Sequence, residues 1–462
     1  MTTKLTAMHK FCRKNRPSVD GRSLRARFSR GHLASPVFLW LGAGALLLLA
    51  FALGPALLEH RPDRPRTIDI DWAVAERNPA FRAFYDRTIA EFEAQNPDVR
   101  VRYRYVAKIT QRLPTMIASP ARPHIIYSQG GGMLSRMYRG GVIRDITPEM
   151  QRDGWEAQFP QTALAGYRVD GRLIGVPQHV AMNDFYYNRR LFERAGVDAS
   201  RIHTWDDFLA AVRALKALGV APIAAGPLET WSVGIYLNIF AMRTCGQEAL
   251  RAAIERRTRG FIAPCFVQAA QMLADLAAMG AFQRGVAATD YAQSMGLFGD
   301  GRAAMVLSFS GTTVSDQRRN ATDGRGLPVD DIGTFPMPEV RGTPGRRTDT
   351  YGGIAGWAVL SGAPDEAVAF LRFLTSPAKQ REFASLSLQV PIDRAAAVEV
   401  TDRLLRESSI QFRDSSWHQV YVEDEIGAAV GKVMLTAAAG LISGGLTAEE
   451  AARRIQKVVD TE

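Results

Sequence analysis

The chain has 462 residues, a length that suits two domains of ordinary size, and 47% of its residues are hydrophobic, as in a globular protein with a substantial core. Its formal net charge of +10 is concentrated near the start: residues 1–66 carry 12 basic and 3 acidic side chains, whereas residues 67–462 carry 45 and 44. This near balance excludes a body with a general attraction for nucleic acid or other polyanions.

The first 66 residues fall into three parts that differ in composition. Residues 1–35 are basic, and residues 36–58 contain no charged side chain. An apolar run of this length can span a bilayer as a helix, with the basic side remaining in the cytoplasm. Two interpretations stay open, an uncleaved membrane anchor and the core of a signal peptide that is cut after Ala52. Residues 59–66 are predicted to link this segment to an exported body.

The body alternates strand patterns with helix patterns. Residues 67–73 alternate apolar and polar side chains as a strand does, and Asn78-Pro79 has the residue types of a helix start. Strand patterns recur at 99–105 and 124–127, and the same alternation returns after Pro177. This order predicts an α/β fold in which a parallel or mixed sheet carries a cover of helices.

The body contains two cysteines, Cys245 and Cys265. In an oxidising exported compartment we expect them to form a disulfide, and two buried thiols are the alternative. The seven histidines are scattered and form no His-x-x-x-His pair, so neither a metal site nor a cofactor is predicted.

Several blocks of the body, in their order and spacing, resemble one known family. The blocks are DGRLIGVP at 170–177, YYNRRLFERAG at 186–196, TWDDF at 204–208, MGLFGDGRAAMV at 295–306 and LISGGLTAEEA at 441–451. Together they resemble the extracellular solute-binding proteins of sugar ABC transporters, the family that includes the maltose-binding protein. The resemblance covers roughly residues 67–460. It implies a two-lobed periplasmic-binding-protein fold of type II, with mixed sheets, helices on both faces and a hinge of several chain crossings.

The resemblance also implies that the chain visits each lobe twice. The expected ranges are 67–175 with 308–352 for lobe one and 177–306 with 354–462 for lobe two, and the expected crossings lie near 174–178, 307–312 and 351–354.

Members of this family bind their ligand between the lobes, so the candidate site residues lie at strand ends and crossings. A sugar needs aromatic faces for its C–H groups and amides or carboxylates for its hydroxyls, and glycines let backbone approach it. The candidates are Trp72, Glu76, Gln129, Gly130, Asn183, Asp184, Trp231, Ser308, Ser310, Tyr351, Gly352 and Gly353. The alternatives are core packing for Trp72, a tight turn for Gly130 and a surface loop for Asn183 and Asp184.

The function implied by the resemblance is binding without catalysis. A monomeric subunit in the periplasm would bind a carbohydrate or polyol and deliver it to a membrane permease. The chain has no Gly-x-x-x-x-Gly-Lys-Ser/Thr motif, so the ATPase must be a separate chain. The alternatives are a membrane-tethered sensory binding protein and an exported carbohydrate-active enzyme, although no acid lies in a distinctive catalytic motif. None of the candidate residues is basic, which favours a neutral sugar over a phosphate ester.

Overall fold

Helices and strands alternate along the part of the chain that the computed structural model describes, residues 66–462 except 73–78, 107–108, 121, 387–388 and 394. The strands are β1 Arg66–Trp72, β2 Val99–Tyr105, β3 Ile125–Ser128, β4 Arg168–Val169, β5 Arg172–Leu173, β6 Val176–Asn188, β7 Ala221–Ala224, β8 Ala303–Phe309, β9 Ile332–Phe335, β10 Thr350–Val359, β11 Val390–Pro391 and β12 His418–Gln419. The helices are α1 Pro79–Gln95, α2 Ile109–Ala118, α3 Gly131–Arg139, α4 Thr147–Gln151, α5 Gln161–Ala165, α6 Arg189–Arg194, α7 Trp205–Ala217, α8 Thr230–Ile254, α9 Pro264–Ala278, α10 Tyr291–Gly299, α11 Thr313–Asn320, α12 Asp365–Leu374, α13 Pro377–Ser385, α14 Arg403–Asp414, α15 Val422–Ile426, α16 Ala428–Ile442 and α17 Ala448–Val459.

The predicted basic segment 1–35, the apolar segment 36–58 and all but the last residue of the predicted linker lie outside the described residues. Within the described part of the chain, no helix combines the length and the apolar composition that a membrane crossing requires.

Local sequence signals fix several helix starts. At the start of α7 the backbone N–H of Asp207 donates to Thr204 Oγ1 at 3.3 Å, and the Thr204 N–H donates to Asp207 Oδ2 at 2.9 Å. This reciprocal pair satisfies two backbone donors that a helix start leaves unbonded. Thr447 and Glu450 make the same arrangement at α17.

A mixed sheet of ten strands forms the centre of the described molecule. Its main path runs β2-β1-β3-β10-β6-β8-β7, while β9 and β11 pair with β6 and β12 pairs with β10. The three strands β2, β1 and β3 are parallel, whereas β10 runs antiparallel to both β3 and β6. The predicted α/β class with a mixed sheet is therefore confirmed.

Two separate hydrophobic cores define two lobes, and two long strands run from one core to the other. In β6, Val180 lies in the core of lobe one and Phe185 in the core of lobe two. In β10, Tyr351 lies in the core of lobe two and Ile354 in that of lobe one. Burial of a side chain of this size stabilises the fold by about 1.5–3 kcal/mol. Each end of both strands is therefore anchored in its own lobe, and the segment between the two cores is where the lobes can move relative to each other.

The chain is divided between the lobes differently from the prediction, first within β6, where Val180 and Met182 still pack in lobe one, and again after residue 306. Residues 308–352 were expected in lobe one, but Phe335 and Val340 pack in the core of lobe two. Residues 354–462 were expected in lobe two, but Phe370 and Phe412 pack in the core of lobe one. From Trp417 onward the chain is again part of lobe two.

The difference arises because the chain stays in lobe two after β8. The residues that follow this strand form α11, whose Val314 packs with Phe298 and Val306 of lobe two. The crossing expected near 307–312 is therefore absent. The three crossings of the described chain are the middle of β6, the first half of β10 and the segment 412–417. The first lies between Met182 and Phe185 and not near 174–178, because the side chains up to Met182 pack in the core of lobe one.

The predicted disulfide is confirmed. Cys245 and Cys265 are bonded, with their Cα atoms 5.0 Å apart, and they join α8 to the first turn of α9. Cys245 precedes Gly246, whose φ of 70° interrupts α8. The bond thus joins α8, at the residue directly before its interruption, to the neighbouring helix α9 in lobe two.

Replacing both cysteines by alanine is expected to lower the free energy of unfolding by about 3 kcal/mol, the chain-entropy value for a loop of about 20 residues. Urea denaturation of the oxidised protein, the reduced protein and the double variant checks this. The reduced protein and the double variant should unfold at the same urea concentration. A double variant as stable as the oxidised protein would contradict a stabilising role for the bond.

Candidate ligand-binding cleft

A cavity of about 350 Å³ lies between the lobes, next to the crossings in β6 and β10. This volume is within the range of small-molecule sites. Gln129 and Ala181 line it from the β3 and β6 side, and the other lining residues belong to lobe two. Those residues are Trp231, Ile235, Phe309, Tyr421, Glu423, Asp424 and Leu435.

Trp231 presents an unusually exposed aromatic face to this cavity. It is the second residue of α8, and 38% of its surface is accessible. The centroid of its ring lies 4.9 Å from that of Tyr291 and 5.7 Å from that of Phe309. These contacts hold the indole in place while its free face remains available, which is the arrangement that packing against a sugar ring requires.

Tyr421 is a second aromatic residue of the cavity, and the sequence analysis missed it. Its ring centroid lies 5.6 Å from that of Tyr351, and a Cβ on Gly353 would come within 2.7 Å of its Cε2 atom. The glycine is therefore needed to let this ring lie against β10. The available signal was the aromatic residue of Tyr421-Val422-Glu423, directly before a run of acids.

Next to the cavity wall, but not in it, lie three residues of β10: Tyr351, Gly352 and Gly353. Only 2% of Tyr351 is exposed, and its hydroxyl accepts a hydrogen bond from Asn238 Nδ2 at 3.0 Å. A Cβ on Gly352 would lie 2.2 Å from the carbonyl oxygen of Ala181, so β6 and β10 could not pair as they do. None of the three lines the cavity, although all three were expected in the site.

Two carboxylates line the cavity, and a third lies next to them in sequence. Glu423 Oε2 accepts a hydrogen bond from Asn238 Nδ2 at 2.6 Å, and burial raises the pKa of Glu423 to about 7. Burial also raises the pKa of Asp424. The neighbouring Glu425 accepts from Gln419 Nε2 at 2.6 Å, and burial raises its pKa to about 7 as well. No Lys or Arg is among the residues that line the cavity.

The glycines after β3 bring the two lobes into contact. Gly130 has a φ of 72°, and its N–H donates to Ser128 Oγ at 3.0 Å. A Cβ on Gly132, the second residue of α3, would lie 2.5 Å from the carbonyl oxygen of Glu425 in lobe two. Of the predicted pair, Gln129 lines the cavity and Gly130 does not. Gly132 therefore permits the approach of one backbone to another across the cleft, whereas Gly130 permits a close approach to Gly166 within lobe one.

Asn183 and Asp184 lie in β6, on opposite faces of the strand. Asn183 is 3% exposed, and neither its Oδ1 nor its Nδ2 has a hydrogen-bond partner. It shares a face with Ala181, two residues earlier, and pairs across the sheet with Phe309, and both of those residues line the cavity. Asp184 points the other way, where it accepts a hydrogen bond from Ser408 Oγ at 3.1 Å.

The remaining predicted residues either bond within the protein or fall outside the described part. Ser308 Oγ lies 3.3 Å from Tyr291 Oη, and Ser310 Oγ accepts from the Met182 N–H at 2.9 Å. Both serines are fully buried and do not line the cavity. Trp72 is the last residue of β1, but its side chain is outside what the structure describes, and so is the whole of Glu76. Within the described residues, no group of three or more His, Cys, Asp or Glu side chains could hold a metal ion.

Comparison with known proteins gives a consistent set of relatives. The family model for bacterial extracellular solute-binding proteins matches residues 75–381. A binding protein of Brucella abortus (strain 2308) is 26% identical over 248 residues, which make up 52% of this chain and 57% of that protein. The sn-glycerol-3-phosphate-binding periplasmic protein UgpB of Rhizobium meliloti (strain 1021) is 26% identical over 296 residues, 60% of this chain and 64% of that protein. The matched part thus spans less than two thirds of either relative.

The fold is shared with solved structures. A chitin oligosaccharide binding protein superimposes with a TM-score of 0.74 at 24% identity, over 86% of this chain and 98% of that one. At this identity the likeness shows the two-lobed fold and nothing about the ligand.

Proposed function

Since this chain belongs to the bacterial extracellular solute-binding proteins, we propose that it is the substrate-binding subunit of an ABC importer. In this proposal it binds a carbohydrate or polyol between its lobes, outside the cytoplasmic membrane, and delivers it to a permease that works with a separate ATPase. The observation that carries the proposal is the cavity between the lobes, in which the exposed face of Trp231 lies with the carboxylates of Glu423 and Asp424.

The chemistry of the cavity supports a polyhydroxylated ligand. Aromatic faces pack against the C–H surface of a sugar ring, and carboxylate oxygens accept hydrogen bonds from hydroxyl groups. A phosphate ester would require positive charge, and the lining residues include no Lys or Arg. The ligand named for the Rhizobium meliloti relative is a phosphate ester. We therefore expect this chain to differ from that relative in the ligand that it binds.

Thermal unfolding of the full chain, purified in a mild detergent, tests the proposal. The protein is heated with each member of a panel of mono- and oligosaccharides, amino sugars, polyols and sugar phosphates. A ligand that binds only the folded protein stabilises it by about 2.7 kcal/mol at a hundredfold excess over Kd. The proposal predicts a clear shift with at least one sugar or polyol and no chemical conversion of that compound. A panel without any shift, or turnover of a ligand, would contradict it.

Trp231→Ala is expected to weaken binding of that ligand by about 1–3 kcal/mol, because a stacked aromatic side chain contributes an amount of this order. The free energy of unfolding should fall by about 1–3 kcal/mol as well, because the ring contacts with Tyr291 and Phe309 are lost, so affinity is measured at a temperature at which the variant is fully folded. Isothermal titration calorimetry measures the loss. Leu228→Ala is the matched control: this neighbouring apolar residue is 61% exposed and does not line the cavity. Equal affinities of the two variants would remove Trp231 from the site.

A further inference from the structure

The polar groups of the cavity are unbalanced toward hydrogen-bond acceptors. Glu423 and Asp424 contribute carboxylate oxygens, which only accept when ionised. Asn183 and Asn238 add side-chain carbonyl oxygens that have no partner in the protein, and Asn183 Nδ2 is an unpartnered donor beside them. Against these acceptors stand the Nδ2 of Asn183 and the indole N–H of Trp231, so the two carboxylates favour a ligand that supplies donors to them.

The two asparagines are an observation independent of the acids. Asn183 and Asn238 are 3% and 1% exposed, and a buried polar group without a partner costs free energy that something must offset. Asn238 Nδ2 donates a hydrogen bond at 2.6 Å to Glu423, which lines the cavity. The Oδ1 of the same amide has no partner and therefore lies directly behind a lining residue. Asn183 lies on the face of β6 that bears Ala181, which lines the cavity. Both amides therefore belong to the shell of the same site.

The aromatic groups of the cavity favour the same kind of ligand. The faces of aromatic rings attract cations, and an ammonium group near a tryptophan or tyrosine ring in a desolvated site is stabilised by this attraction. Trp231 and Tyr421 line the cavity together with the two acids. With Phe309, the same walls offer three aromatic rings, two carboxylates and no positive side chain to compete for them.

We propose that the ligand of this cleft is a cationic sugar, one that carries a protonated amino group held by the carboxylates of Glu423 and Asp424 and bordered by Trp231 and Tyr421. This inference rests on the proposed function and narrows its ligand class. An ammonium group has three donors and no acceptor, which matches the excess of acceptors in the cavity.

The electrostatics of the ligand-free site agree with this assignment. Burial raises the pKa of Glu423 to about 7, because the ionised carboxylate loses hydration in this cavity. A bound cation favours the ionised form and restores the pKa toward its usual range. The other titratable groups that face these acids are Tyr351, Tyr421, Tyr127 and Glu425. A positive charge does act on this segment, that of Arg251 on Glu425, but neither Arg251 nor Glu425 lines the cavity.

Three ligands with the same ring skeleton test the inference: glucosamine, N-acetylglucosamine and glucose, together with their β1,4-linked dimers. Calorimetric titration of the full chain near neutral pH gives the affinity for each of the three sugars and for each of the three dimers. The amine is expected to bind about tenfold more tightly than its acetylated and hydroxyl counterparts, the ratio that one charge-assisted hydrogen bond provides. In the double variant Glu423→Gln, Asp424→Asn, which keeps the shape of both side chains, this preference should disappear.

Glu449→Gln is the matched control, because this exposed residue of α17 removes a negative charge from lobe two without touching the cavity. It should retain the full preference for the amine. Equal affinity for all three ligands would overturn the inference and leave the proposed function standing. A preference that survives in the double variant would also overturn it. If neither these ligands nor any compound of the wider panel binds, both the inference and the proposed function fail.

Discussion

Gly132→Ala is expected to weaken ligand binding by roughly a hundredfold while leaving the thermal stability of the ligand-free protein unchanged. An added Cβ would lie 2.5 Å from the carbonyl oxygen of Glu425 and 3.2 Å from that of Asp424, so the two lobes could no longer meet at this point. Overpacking of this kind costs about 3 kcal/mol, which corresponds to about a hundredfold in Kd if only the closed state pays it.

The substitution is compatible with α3, because Gly132 is the second residue of this helix and has no positive φ that would require a glycine. Each lobe can therefore fold normally, and only the approach of one lobe to the other is hindered. Calorimetry gives the affinity, and small-angle X-ray scattering with and without ligand shows whether the molecule still becomes more compact.

Gly166→Ala is the matched control for this prediction. A Cβ at that position has its nearest neighbour, the backbone nitrogen of Gly131, at 3.8 Å, which is ordinary van der Waals contact. It adds the same methyl group close to the same run of glycines without touching lobe two. If Gly132→Ala binds ligand as tightly as Gly166→Ala does, contact between α3 and the Asp424–Glu425 segment is not required for binding.

Asp184→Asn is expected to stabilise the protein above neutral pH, by up to about 4 kcal/mol if the whole shift in pKa is expressed. Burial, with a smaller contribution from the charge of Glu407, raises the pKa of Asp184 to about 7 against the opposing effects of Ser408 and Arg243. The folded state therefore binds this proton more tightly than the unfolded chain does. Its contribution to stability is greatest below about pH 4 and declines as the pH rises toward 7.

An asparagine at this position cannot ionise, but its side-chain oxygen can still accept the hydrogen bond from Ser408. The stability of the variant should therefore lack this part of the decline, and the two proteins should be about equally stable at pH 4. Urea denaturation from pH 4 to 8 measures both profiles, and their difference removes the contributions of Glu423 and Glu425, which are common to both proteins. Parallel profiles would show that ionisation of Asp184 does not lower the free energy of unfolding between pH 4 and 8.

The sequence by itself determined the features whose causes are local. Alternating apolar and polar side chains predicted strands, and Thr204 with Asp207 predicted the start of a helix. The order of strand patterns and helix patterns along the chain predicted an α/β fold. The cysteine pair and Trp231 as a site candidate were also visible, because few roles are open to two cysteines in one lobe or to a tryptophan among polar residues at a helix start. Each of these signals acts within a few residues or through the chemistry of one residue type.

Only the tertiary structure decided how these pieces combine. Tyr351 and the two glycines after it pack behind the cavity, whereas Tyr421 and Glu423, about 70 residues farther on, line it. The chain also crosses between the lobes at 412–417 and not at 307–312, because α11 finds its apolar partners in lobe two. Lobe membership and cleft position depend on packing between residues that lie 50 to 300 positions apart, and no local pattern carries that information.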